Sequence, residues 1–200
     1  MKREGCAHWR QMEWIGFYYE WKIGSLLMEL IGGGVGPAYG RTKFDYRRNH
    51  VWDFKAHPLW DSHGKPNEPM ILNDQSAILS CAREHGGIGF VVVNGRAGFN
   101  GSADFKAWHD ELKGGRSEYE RQRVERGAGS RTRKTSFEAL RLDLYWFGSE
   151  ARIRQGVSEG WIGSFQEGMR NSDGSPRSAK FSIRTDRVPS WAVPVPSEEL

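Results

Sequence analysis

The stretch TKFDYRRNHVWDFKAH (residues 42–57) sets two acids, Asp45 and Asp53, on either side of a short polar segment and places Lys55 two residues beyond the second acid. KFDY and VWDFKAH read as two short strands, with RRNH between them as the turn of a hairpin. Side chains at i and i+2 of a strand point to one face, so Val51, Asp53, Lys55 and His57 share a side, and Trp52, Phe54 and Ala56 take the other. The hairpin brings Asp45 close to Asp53. Two carboxylates held together repel, and burying both as anions requires a cation between them. Oxygen-only ligands of this kind suit Mg²⁺, which keeps several waters and is usually completed by substrate phosphate oxygens. Lys55 would then stand beside a metal-bound water, placed to orient or deprotonate it and to screen charge as a phosphodiester is attacked.

Upstream, apolar residues recur at helical spacing over residues 12–31 (Trp14, Phe17, Tyr18, Trp21, Leu27, Met28, Ile31), and IGGGVGP ends the run. This predicts one long amphipathic helix with the aromatic stripe packed in the core. Its other face carries Glu13, Gly16, Glu20 and Gly24. Interior glycines cost helix propensity, so their presence implies the close approach of a sheet or a ligand. Downstream, PLWDSHGKPNEP is a loop with three prolines, and NDQSAILSCAREHGG is a second helix, opened by the capping residues Asn73 and Asp74 and closed by Gly86 and Gly87. Gln75, in its first turn, could also point at the site. IGFVVVNG is a continuous apolar run that fits a strand covered on both faces.

Beyond Gly101, SADFKAWHDELKGG predicts a third helix and SEYERQRVERGAGSRTRKT a charged helix running into a basic loop. Leu140, Leu142 and Leu144 alternate as in a half-buried strand, and WIGSFQEG and KFSIRTD are hairpin-like pieces around NSDGSP. At 200 residues and 38% apolar content the chain is sized for one domain with elaborations.

Two distant cysteines, Cys6 and Cys81, point to neither a disulfide framework nor a four-ligand zinc site. Histidines 50, 57 and 63 lack finger-like spacing. The first residues are too polar and aromatic for a signal peptide, and no run approaches a membrane span, which predicts a cytoplasmic protein. The net charge is +4, yet residues 113–141 hold nine Lys or Arg against four Glu. One basic segment on a nearly neutral body predicts a polyanion-facing surface.

Asp45, then Asp53-Phe54-Lys55, on a hairpin preceded by a helix bearing Glu20 and followed by helix and strand, resembles the PD-(D/E)XK nuclease superfamily. That superfamily includes type II restriction endonucleases and archaeal Holliday-junction resolvases. The resemblance covers residues 12–95, with Phe44 standing where the family name specifies proline. It implies an α/β fold with an αββαβ core, a mixed central sheet flanked by helices, and C-terminal strand and loop elaborations. It further implies Mg²⁺ held by Asp45, Asp53 and the backbone carbonyl of Phe54, with Glu20 assisting and Glu13 as the alternative helix acid. A homodimer that cuts double-stranded DNA and leaves 5′-phosphate and 3′-hydroxyl ends follows from the same resemblance. A structure-specific nuclease such as a junction resolvase is the alternative within the fold, and a non-catalytic DNA-binding protein the alternative outside it.

The catalytic core then occupies residues 12–95 and the DNA-recognition elaborations residues 101–190. In the latter, the interleaved glutamates dilute the charge of the helical part, whereas RGAGSRTRK has no such compensation. Arg126, Arg131, Arg133 and Lys134 are therefore expected to contact phosphate or guanine edges, with Arg41 and Lys43, ahead of Asp45, as further DNA contacts. His57, on the Asp53/Lys55 face, is expected either to end its strand or to touch DNA or a metal-bound water.

Overall fold

A computed structural model describes residues 1–11, 13–128, 132–170 and 174–193, and for Tyr119 the backbone only. The chain is mixed α/β, with a mixed sheet flanked by helices. Helix α1 (Trp14–Ile31) comes first. A two-residue hairpin follows, β1 (Ala38–Tyr39) with β2 (Thr42–Lys43), and then β3 (Tyr46–Arg47) and β4 (Val51–Pro58). Next come β5 (Met70–Asp74), α2 (Gln75–His85) and β6 (Ile88–Asn100). The remaining elements are α3 (Ala103–Leu112), α4 (Glu118–Glu125), β7 (Arg133–Phe147), α5 (Glu150–Ser158), β8 (Ile162–Phe165) and β9 (Lys180–Ile183).

The main sheet runs β3-β4-β6-β7. β3 and β4 form the antiparallel hairpin, and β4 and β6 are parallel, with Asp53 beside Phe90 and Lys55 beside Val92. Parallel neighbours need a crossover, here supplied by β5 and α2. β6 and β7 then pair antiparallel along their length, with register shifts near Asn94/Gly95 and Gly98/Phe99. A second sheet, β5-β9-β8, is antiparallel. The larger core lies between the two sheets, α2 and α5: Val51, Phe90, Val92 and Phe147 meet Leu72, Ile78, Cys81, Ile153, Ile162 and Ile183. A smaller core on the opposite face of the main sheet joins Tyr46, Phe54 and Val91 to Ile23 and Leu27 of α1. Among the described residues, no helix is long and apolar enough to cross a membrane.

The buried face of α1 departs in part from the sequence expectation, which put the aromatic stripe in the core. Ile15 and Gly24 are its buried residues, and Gly24 faces the Phe54 ring, 3.6 Å from where a Cβ would sit. Gly24 therefore meets the sheet together with Ile23 and Leu27, whereas a Cβ on Gly16 would meet nothing within 4 Å. Trp14, Phe17, Tyr18 and Trp21 are only half-buried, and Leu26, Met28, Leu30 and Ile31 are exposed. The helix stops where Gly32 and Gly33 adopt positive φ, 76° and 95°. A Cβ on Gly33 would lie 2.7 Å from the Tyr46 hydroxyl and 2.8 Å from the Arg47 carbonyl oxygen, so only glycine lets the chain turn against β3 here. The Tyr46 hydroxyl fastens this turn by donating to the Gly32 carbonyl at 2.6 Å. On β7, Leu140 and Leu142 are exposed and Leu144 packs on the smaller core, so the alternation is real but buries only its last leucine.

Candidate active site

The hairpin register pairs Tyr46 with Trp52 and Arg47 with Val51, and Asp45, in the bend just before β3, lies close enough to Asp53 to feel its charge. The Asp45 amide donates to the Trp52 carbonyl at 3.2 Å, and its Oδ2 accepts the Phe54 amide at 2.6 Å. Asp45 is thereby held by backbone on two sides. Asp53 lies on the Val51 face of β4 and is 2% exposed.

Two side chains, Lys55 and Asn73, close a ring with Asp53. Lys55 Nζ lies 2.5 Å from Asp53 Oδ2 and donates to Asn73 Oδ1 at 2.5 Å. Asn73 Nδ2 donates back to Asp53 Oδ1 at 2.8 Å. Each Asp53 oxygen thus has a positive or donor partner, as a buried carboxylate requires. Asn73 is not the helix cap that its sequence position implied. It belongs to β5, and the capping position falls to Asp74, which makes no side-chain cap bond. Gln75 points away from the site and binds Ser164 Oγ and the Lys180 carbonyl.

Glu20 completes the group from α1. Burial, then the negative charge of Asp53, pushes its carboxyl above the usual range, while a hydrogen bond with Asp45 and the nearby His8 and Lys55 act the other way. Asp45 is pushed further, to about 8, by burial first, then by Asp53 and Glu20, against the Phe54 amide and Lys55. The two carboxyls, each raised by burial and by Asp53, stand side by side at the pocket. Glu13, the alternative helix acid, pairs instead with Lys134.

The donor set is all oxygen: two carboxylates, with the Phe54 carbonyl in the chain between Asp53 and Lys55. No group of three His, Cys, Asp or Glu among the described residues is arranged to hold a metal. A site with two carboxylates suits Mg²⁺, which takes one or two carboxylates and fills its other positions with water and phosphate oxygens. Burial first, then the charges of Asp53 and Glu20, raise the Asp45 carboxyl, and a divalent cation would offset that negative charge. The residues present therefore fit this ion.

The predicted DNA contacts separate into two groups. Arg133 is 1% exposed and lies 3.1 Å from Asp110 and 3.9 Å from Glu120, which corrects its assignment to DNA. A guanidinium that neutralises two buried acids is not free for phosphate. Lys134 is tied to Glu13, Arg126 donates to the Gln122 carbonyl, and Arg131 lies outside the described residues. Arg41 and Lys43, by contrast, are exposed. His57 is buried, with Nε2 3.9 Å from Glu68 Oε1, and burial holds its pKa below the usual value. It does not reach the Asp53 ring.

Comparison of the chain with known protein families, with curated proteins and with solved structures found no match.

Proposed function

We propose that the chain is a Mg²⁺-dependent endonuclease that hydrolyses phosphodiester bonds of double-stranded DNA, in the manner of type II restriction enzymes of the PD-(D/E)XK superfamily. The observation that carries this reading is the approach of Asp45 to Asp53 at the β3–β4 hairpin, with Lys55 on the Asp53 face and Glu20 arriving from α1. The order α1, β3, β4, α2, β6, with β4 and β6 parallel, agrees with the αββαβ core of that superfamily. An all-acid pocket with one lysine is suited to phosphate chemistry, in which positioning and charge stabilisation make up most of catalysis.

Asp45, Asp53 and the Phe54 carbonyl would hold the ion. When bound, it supplies Lewis acidity toward a phosphoryl oxygen and a lowered pKa for water. Asp53 keeps the Lys55 ammonium at the pocket. Asn73 limits its swing, so the ammonium can orient an attacking water and offset charge on the phosphate oxygens. Glu20, its carboxyl also raised by burial and by Asp53, stands beside Asp45 as a further acid of the pocket. In this reading the enzyme acts as a homodimer, each subunit cutting one strand.

Plasmid DNA of known sequence, incubated with Mg²⁺ and then with chelator, tests the reading. Fixed 5′-phosphate ends that vanish in chelator are expected. Cleavage confined to four-way junctions would move the protein to the resolvases. Binding without cleavage in Mg²⁺ would overturn the enzymatic reading.

A further inference from the structure

Among the described residues, most cations of the segment richest in them are already held in ion pairs. In residues 113–134, Lys113, Arg116 and Arg133 converge on Asp110, Arg121 pairs with Glu118, and Lys134 pairs with Glu13. Those cations are already partnered, and a paired cation releases little to a polyanion. Around the acid pair the balance is different. Arg41, Lys43, Arg47 and Arg48 are all exposed, and none of them forms an ion pair among the described residues.

Their placement follows from the local fold. Arg41 sits in the β1–β2 turn, Lys43 ends β2, Arg47 ends β3, and Arg48 begins the turn into β4. Lys43 and Arg47 lie two residues to either side of Asp45. Arg47, paired with Val51, is on the sheet face of Val51 and Asp53. Glu84 of α2, the helix that abuts β1, is occupied by the Tyr39 hydroxyl at 2.9 Å. Residues 41–48 span at most about 28 Å, and over that length a duplex presents on the order of fifteen phosphate charges. The four cations therefore lie within the reach of one duplex.

We propose that Arg41, Lys43, Arg47 and Arg48 form the surface that grips the phosphate backbone of duplex DNA and offsets the repulsion between substrate and the acids of the pocket. This rests on the DNA reading of the site above. It moves the main contact from the appended basic segment to the strands that carry Asp45. The hairpin that supplies the acids then also fixes the register of the backbone over them.

The test is fluorescence anisotropy of the full chain with a 30-base-pair duplex, in chelator, over a series of salt concentrations. The variants are Arg41→Ala/Lys43→Ala/Arg47→Ala/Arg48→Ala and, for comparison, Arg121→Ala/Arg126→Ala. The fourfold variant is expected to bind about tenfold or more weakly, with the slope of log K against log salt reduced by about 0.9 per lost contact, up to ~3.6. The comparison variant is expected to keep the wild-type slope. Single Arg41→Ala and Arg48→Ala variants, at exposed turn positions, give the same reading if the fourfold variant does not fold, each lowering the slope by about 0.9. An unchanged slope in these variants, a larger loss in the comparison variant, or wild-type binding to heparin but not to duplex overturns the proposal. Cleavage of plasmid in Mg²⁺ is scored separately. A wild type that binds through this surface yet never cuts sinks the nuclease reading alone, and one that cuts while the fourfold variant keeps its slope sinks this surface alone.

Discussion

Lys55 and Asp53, two residues apart on one face of β4, form a partly buried ion pair at 2.5 Å that Asn73 closes from β5. An i, i+2 pair on an exposed strand edge contributes little. This one differs because the carboxylate is 2% exposed, so the lysine is the cation that makes its burial tolerable.

Removing only the lysine should therefore be worse than removing the pair. Lys55→Met is expected to lower stability by a few kcal/mol, below the ~3–5 kcal/mol typical of a fully buried pair because the lysine is partly exposed. Asp53→Asn/Lys55→Met should recover most of that loss. Both proteins should be inactive in cleavage. Urea unfolding of the singles and the double gives the coupling directly. Additive losses would mean that the two groups do not sense each other.

Arg133 is expected to behave as a structural residue. Arg133→Ala leaves Asp110 and Glu120 buried without their shared cation and should cost about 3–5 kcal/mol. Arg133→Lys should recover part of that loss, because both contacts run from the single nitrogen Nη2, a role one ammonium can fill. Thermal unfolding together with DNA titration separates the roles. A variant of unchanged melting temperature and altered salt slope would return Arg133 to the DNA-contact set.

What was legible in the sequence was local. Asp45 and Asp53 meet through a turn of a few residues, so strand alternation and the turn sufficed to bring them together. The α2–β6 unit was likewise marked by glycines and an unbroken apolar run. The failures were at long range. β5 is five residues behind a proline-rich loop, and it is a strand because Met70 pairs with Ile183, a partner that no local pattern announces. Asn73 therefore passed for a helix cap. Arg133 looked free because Asp110 and Glu120 lie on separate helices. The face of α1 was partly misassigned because tryptophan and tyrosine count as apolar in a periodicity, yet half-buried positions suit them. Gly24 was the better guide to where the sheet approaches.

Gly89 should tolerate no side chain. A Cβ there would lie 2.1 Å from the Trp52 ring, which is itself packed against Trp146 with ring centroids 5.6 Å apart. Neither indole is a flexible end that can swing aside, so Gly89→Ala is expected to cost about 1–3 kcal/mol through overpacking. Because Gly89 is the β6 partner of Trp52, the strain falls beside Asp53, and cleavage should drop together with stability. Tryptophan fluorescence and chemical unfolding check this. A variant with native emission and stability would mean that the two indoles have room to move.

The Asp45 carboxyl gives the site a pH signature whose sign is fixed. Its pKa, 3.8 without the fold, rises to about 8 within it, so between these values the folded protein holds a proton that the unfolded chain has released. Stability then falls as pH rises. The contribution is fully present below about 3.8 and is lost as pH climbs through about 8. Glu20, raised for related reasons, adds in the same direction. Asp45→Asn cannot ionise, so its stability should be flatter over this window, and the difference between the two proteins cancels the titration of groups elsewhere. Mg²⁺ acts against the same proton, because carboxylate ligands must be deprotonated to bind it. The rise in melting temperature on adding Mg²⁺ should therefore be larger at pH 9 than at pH 6 and nearly absent in Asp45→Asn. Calorimetric titration at pH 7 in buffers of different ionisation enthalpy should register the release of about one proton per ion bound. Equal Mg²⁺ stabilisation at both pH values, or in both proteins, would mean that the ion binds elsewhere and that the Asp45–Asp53 pair is not its site.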